Sequence, residues 1–89
     1  MEKYSFSEIK KKLNEMIVAG DEPELSLFMY GKEYMIIGFK DGCSFQRCGA
    51  SDGSGEYFYE TLDELYNAIT VDEILLKRDW DNITNFEYL

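Results

Sequence analysis

Side chains able to carry chemistry are plentiful in this chain but narrow in kind: eighteen Asp and Glu, seven Tyr, two Cys and no His. Without histidine, the commonest neutral-pH general base and the commonest metal ligand are both missing, which removes most hydrolase and zinc mechanisms. A carboxylate pair could still work as acid and base. A thiol could attack as a nucleophile, but no histidine stands ready to activate Cys43 or Cys48. On one extended strand these two cysteines, five positions apart, would lie about 16 Å from each other and on opposite faces. That is beyond the reach of a disulfide and too far to share a metal. Two reduced structural thiols are the expectation for a cytosolic protein.

Three short motifs invite a chemical reading. Gly49-Ala50-Ser51-Asp52-Gly53-Ser54-Gly55 has the glycines of a phosphate loop but no lysine after them and no helix start directly behind. Asp52-Gly53-Ser54-Gly55-Glu56 has a passing likeness to a calcium loop, without the alternating Asp/Asn ligands or the distal glutamate. Asn82-Ile83-Thr84 matches a glycosylation sequon, which a cytosolic location would make coincidental. No catalytic residue, metal or cofactor is therefore expected.

The elements that would position any site follow from capping, periodicity and turns. Ser5-Phe6-Ser7-Glu8 is a capping box, and Phe6, Ile9, Leu13, Met16 and Ile17 recur at helical spacing as far as Gly20. Pro23 closes an acidic linker ahead of the first strand. Tyr30-Gly31-Lys32 separates Leu25–Met29 from Glu33–Phe39 as a tight hairpin, and Asp41-Gly42 leads into Cys43–Cys48 as a type I′ turn. Glu56–Glu60 reads as a fourth strand. Thr61-Leu62-Asp63-Glu64 is a second capping box for a helix over 61–69 with Leu62, Leu65, Tyr66 and Ile69 on one side. Asp72 can cap a third helix carrying Leu76, Trp80 and Ile83, although Ile74-Leu75-Leu76 also fits a strand, and Phe86 and Tyr88 suggest a packed tail. The expected fold is one α+β domain over 1–89, with an N-terminal helix, a four-stranded antiparallel β-meander and two C-terminal helices in the order αββββαα.

Strand alternation then sorts the meander into two faces. Leu25, Leu27, Met29, Tyr34, Ile36, Gly38 and Phe45 share one face, nearly all apolar, which is assigned to the core. Ser26, Ser44, Gln46 and Cys48 share the other with four large apolar groups, Phe28, Met35, Ile37 and Phe39. A solvated sheet face ordinarily alternates to polar residues, so these four form the candidate partner surface. A helix around Trp80, a second copy of the chain or another protein could cover them.

Charge bears on the partner. The formal net charge is −9, and residues 1–20 hold four lysines against three glutamates, leaving −10 for residues 21–89. An acidic body repels phosphate backbones and anionic membranes, so neither nucleic acid nor membrane is expected as a partner. Met1-Glu2-Lys3-Tyr4-Ser5 opens a charged amphipathic stretch and not an apolar signal segment, so a cytoplasmic location is expected.

The run Tyr57-x-Tyr59-x-Thr61-Leu62-Asp63-Glu64-Leu65, then Val71-Asp72, then Leu76-Lys77-Arg78-Asp79-Trp80-Asp81-Asn82-Ile83, together with the turn Gly31-Lys32-Glu33-Tyr34, resembles a family of small acidic proteins from Gram-positive bacteria and their phages or mobile elements. The resemblance spans about three quarters of the chain and implies a helix, a β-meander and C-terminal helices; it brings no activity with it. After Val71 and Asp72 that family usually continues with glycine, where this chain has Glu73. A bacterial, non-enzymatic interaction or regulatory module is the leading expectation, binding an unknown protein or a second copy through its acidic or open-sheet surface. In a specialised, immunity-like inhibitor, carboxylates would occupy a basic site on the target. A small-molecule-binding or enzymatic domain using Asp, Glu, Tyr and Cys is the alternative, and a structural domain without separable activity is the third.

Overall fold

The computed structural model describes residues 4–49 and 55–88. Helix α1 (Phe6–Val18) is followed by strands β1 (Glu24–Met29), β2 (Lys32–Phe39), β3 (Gly42–Arg47) and β4 (Glu56–Tyr59), then helix α2 (Leu62–Asn67), the single-turn helix α3 (Leu76–Asp79) and strand β5 (Ile83–Tyr88). The α+β class, the N-terminal helix and the antiparallel meander are as expected from sequence. The C-terminal half differs in kind: the chain ends in a fifth strand, which pairs antiparallel with β1 to give the order β4-β3-β2-β1-β5.

Both ends of α1 are fixed by local chemistry. The Ser5 hydroxyl accepts from the Glu8 amide and Glu8 Oε1 accepts from the Ser5 amide, each at 3.2 Å, so the capping box forms in full. At the other end Gly20, at φ +93°, lets the Gly20 amide donate to Ile17 and the Asp21 amide donate to Met16, the two bonds of a Schellman stop. Ile9 and Leu13 point into the core between these ends.

The first hairpin is the expected two-residue turn, with Met29 opposite Lys32 and both Tyr30 and Gly31 at positive φ. The second turn is displaced by one residue. Phe39 pairs with Gly42, so Lys40 and Asp41 are the loop, neither lies at positive φ, and Gly42 is already in β3. Each residue of β2 therefore meets a partner two positions from the one expected, and because side chains alternate with period two the face assignment survives intact. Gly42 is needed for a different reason than a turn: a Cβ there would come within 2.5 Å of the Tyr59 carbonyl oxygen.

All the helices lie on one side of the sheet. Ile9 and Leu13 of α1, Leu62 and Leu65 of α2, and Val71, Ile74, Leu76 and Trp80 join Leu25, Leu27, Tyr34, Ile36, Phe45 and Ile83 in a single buried cluster. Aromatic contacts bind the C-terminal strand into it, for Trp80 packs between Phe6 and Phe86 at centroid distances of 5.4 and 5.8 Å and donates its indole N–H to the Tyr4 carbonyl at 2.8 Å.

Two expected elements are shorter than their periodicity suggested. Helix α2 stops at Asn67, and Ile69 is 68% exposed, forming an isolated bridge to Leu75 where a strand over 74–76 was the alternative. Asp72 caps no helix. It stands at φ +56° in a short 3₁₀ turn over Val71–Glu73, with Glu73 also left-handed at φ +61°, and α3 begins only after Leu75. Residues 80–82 form a further 3₁₀ turn that delivers Ile83 to β5, buried in the sheet and not on a helix face.

Candidate functional site

The face of the sheet opposite the helices carries the candidate surface. Phe28, Met35, Ile37 and Phe39 are all half-buried there, held by their strand neighbours and reaching toward solvent. Neither α3 nor Trp80 covers them, since Trp80 belongs to the cluster on the other side. Phe58 joins the strip from the edge strand β4: it is 66% exposed, pairs with Ser44, and stacks on Phe39 with ring centroids 6.4 Å apart. Sequence reasoning placed Phe58 on a strand without assigning its face, because the connection from Gly49 to Gly55 left the β3–β4 register open.

Register defines what surrounds the strip. One row across the sheet reads Glu87, Ser26, Met35, Gln46, Glu56, from β5 to β4. The next reads Glu24, Ile37, Ser44, Phe58, and on the other side Asn85, Phe28 and Glu33 are adjacent. Alternation puts four glutamates on this face, while Lys32 and Arg47, the cationic residues within the strands, share the parity of Tyr34 and Phe45 on the helix side. The Ser26 hydroxyl donates to Glu33 at 2.7 Å and the Ser44 hydroxyl donates to Glu56. Both serines are fully buried beneath these carboxylates and the flanking apolar side chains.

At the Lys40-Asp41 end of the sheet a shallow concavity of about 540 Å³ opens between Phe39, Phe58, Tyr59 and Glu64, with Gly42 and Cys43 at its floor. Burial, reinforced by the charge of Glu64, pushes the Cys43 thiol up to about 11, and its Sγ donates to the Thr61 carbonyl at 3.5 Å. Such a thiol is protonated at neutral pH and is a poor nucleophile. Cys48, half-buried just beyond β3, is also shifted upward, by burial and then by Glu33. Both cysteines are free.

Two tyrosine–aspartate pairs on the helix side were not anticipated from sequence. The Tyr34 hydroxyl donates to Asp72 Oδ2 at 2.8 Å, and Arg47 Nη1 donates to both oxygens of the same carboxylate at 2.8 and 2.9 Å. Burial first, then the Asp72 hydrogen bond, pushes Tyr34 up to about 12. The second pair joins Tyr30 to Asp79, which Arg78 grips through two nitrogens. Asp72 holds the α2–α3 connection to β2 and β3, Asp79 ties α3 to the tip of the β1–β2 hairpin, and no sequence signal short of the fold itself brings their partners together. Among the described residues, no three Cys, Asp or Glu side chains converge in a way that could hold a metal ion. The calcium-like and phosphate-like stretches fall largely on residues 50–54, outside the described residues. No protein-family model, curated protein or solved structure matches the chain.

Proposed function

We propose that the chain is a protein-interaction module that docks a partner on the open face of its sheet. One observation carries the reading: Phe28, Met35, Ile37, Phe39 and Phe58 form a continuous apolar strip on a face that no helix of the described chain covers. Contiguous apolar surface of this kind marks binding sites more often than it decorates a free surface. Methionine at the centre adds adaptability, since its flexible thioether can repack against different shapes. The reading takes the protein for a non-enzymatic one of the kind its sequence resembles, at work in the bacterial cytoplasm.

The test is site-directed photo-crosslinking in an extract of cells that express the protein. A photoreactive phenylalanine analogue in place of Phe58 should form a discrete adduct, which Ile37→Ser removes, while the same analogue at Lys11 on the exposed side of α1 should not. Absence of an adduct at position 58, or equal adducts at 58 and 11, would overturn the proposal.

A further inference from the structure

Resting on that reading, we infer that the occupant of this face is a lysine- or arginine-rich amphipathic helix of another protein, lying along β2. Charge and dimensions both point there. Met35 sits midway in its row, with Glu87 two strands away on one side and Glu56 two strands away on the other. Four strand spacings separate the two glutamates by about 19 Å, and a helix with its side chains is about 10–12 Å across. A helix seated over Met35 and Ile37 is therefore narrower than the span between the backbones of these glutamates, and its cationic side chains meet Glu87 on the β5 side and, on the other, Glu56, which leans inward onto Ser44.

The length also agrees. From Met35 to Phe39 the strip runs about 13 Å along β2, which is two to three helical turns of a partner's apolar stripe. Glu24 and Glu87 flank it toward β5, Glu56 flanks it toward β4, and Glu33 stands at the Phe28 end. Hydrogen bonds from Ser44 and Ser26 hold Glu56 and Glu33 over the face, so they are pre-positioned. A second copy of this chain fits poorly, because two copies of the face would bring glutamates together without a cationic strand residue between them, in molecules of formal charge −9.

The experiment uses three synthetic helices with the same leucine stripe, flanked by lysine, glutamine or glutamate, titrated into the isotopically labelled full chain. The lysine-flanked helix should bind saturably and move the Met35 and Ile37 methyl signals while leaving Leu13 unmoved. Glu56→Lys with Glu87→Lys, or raising the salt from 0.05 to 0.5 M, should weaken it by about tenfold or more. The glutamate-flanked helix should not bind. Equal binding of all three helices would overturn the cationic occupant and leave the interaction module standing. Failure of the lysine helix while Phe58 still crosslinks would do the same, as would shifts confined to α1. A wild-type dimer in sedimentation that Ile37→Ser dissociates would assign the face to a second copy instead. Loss of crosslinking at Phe58 would remove the parent reading as well.

Discussion

Tyr30, at the tip of the β1–β2 hairpin, donates its hydroxyl to Oδ1 of the buried Asp79 at 2.8 Å, across 49 residues of sequence. The carboxylate also receives Arg78 and the Leu75 amide, the latter at 2.9 Å, which closes the start of α3. Arg78 above all, then the Leu75 amide and Tyr30, holds Asp79 down to about 2 against the opposing effect of burial, from an ordinary 3.8. A carboxylate whose pKa is depressed in the folded state contributes stability that is fully present above its unfolded value and is lost as pH falls through its folded value. The expected window is therefore from about 3.8 down to about 2. Chemical denaturation across that range should fall less steeply in Asp79→Asn than in the wild type. At pH 7 the variant should be about 2–3 kcal/mol less stable, the scale for hydrogen bonds to a buried charge. Equal pH slopes would show that Asp79 is not held ionised.

The loop between α2 and α3 carries two successive non-glycine residues in the left-handed region, Asp72 at φ +56° and Glu73 at φ +61°. Asp72 is compensated by Tyr34 and Arg47. Glu73 is exposed and Arg78 grips its backbone carbonyl, at 3.0 Å, and a left-handed residue with a Cβ costs about 1–2 kcal/mol. Glycine removes that strain and adds back part of it as unfolded-chain entropy. Glu73→Gly should raise stability by about 0.5–1 kcal/mol in urea denaturation. A destabilised variant would mean that the glutamate side chain fixes this loop.

The two faces of the meander should respond unequally to truncation. Leu27 and Ile36 are fully buried beneath the helices, so Leu27→Ala or Ile36→Ala is expected to cost about 2–5 kcal/mol. Ile37, half-buried on the open face, should cost less than about 1.5 kcal/mol as Ile37→Ser. Denaturant midpoints compare them directly. A larger loss at Ile37 than at Ile36 would reverse the face assignment.

What could be read from the sequence was what depends on short-range chemistry. The capping box at Ser5, the hairpin at Tyr30-Gly31 and the alternation that separates Ile36 from Ile37 each need only a few neighbouring residues, and each appears in the fold. The face assignment even withstood a misplaced second turn, because the displacement preserved parity. The C-terminal strand was not legible. Ile83 and Trp80 satisfy helical spacing, and the partner that converts residues 83–88 to a strand is the free edge of β1, about sixty residues away in the chain. The candidate site was half visible for the same reason: Phe28, Met35, Ile37 and Phe39 follow from the alternation of β1 and β2 about the Tyr30-Gly31 turn, whereas the flanking Glu87 and Glu56 are brought to the face by β5 and β4.

Thiol chemistry offers an independent check on β3. Cys43 is buried and its thiol is raised to about 11, whereas Cys48 is half-buried beyond the strand end. In the folded protein at pH 8, a thiol-specific disulfide reagent should modify Cys48 first, with Cys43 protected until unfolding. In denaturant without reductant both should titrate as free thiols. A native disulfide between them, or fast modification of Cys43, would be incompatible with an extended β3.

The glycines at the open end of the sheet separate backbone from side-chain crowding. A Cβ on Gly38 would meet the Ile17 Cδ1 atom at 2.8 Å and the Pro23 ring at 3.1 Å, and a δ-methyl at the end of a flexible side chain can swing away. On Gly42 the obstacle is the Tyr59 carbonyl oxygen at 2.5 Å, a backbone atom fixed by the β3–β4 ladder. Gly42→Ala should therefore be the worse substitution, costing about 1–3 kcal/mol as β4 is pushed from β3, and Gly38→Ala should cost less. Because β4 carries Phe58 and Glu56, amide exchange at residues 56–59 should rise in Gly42→Ala while β1 and β2 keep their protection. Uniform loss of protection across the sheet would mean that β4 is not a separable edge, and the displaced position of the second turn would then have to be reconsidered, since only that displacement sets Gly42 within the strand and against Tyr59.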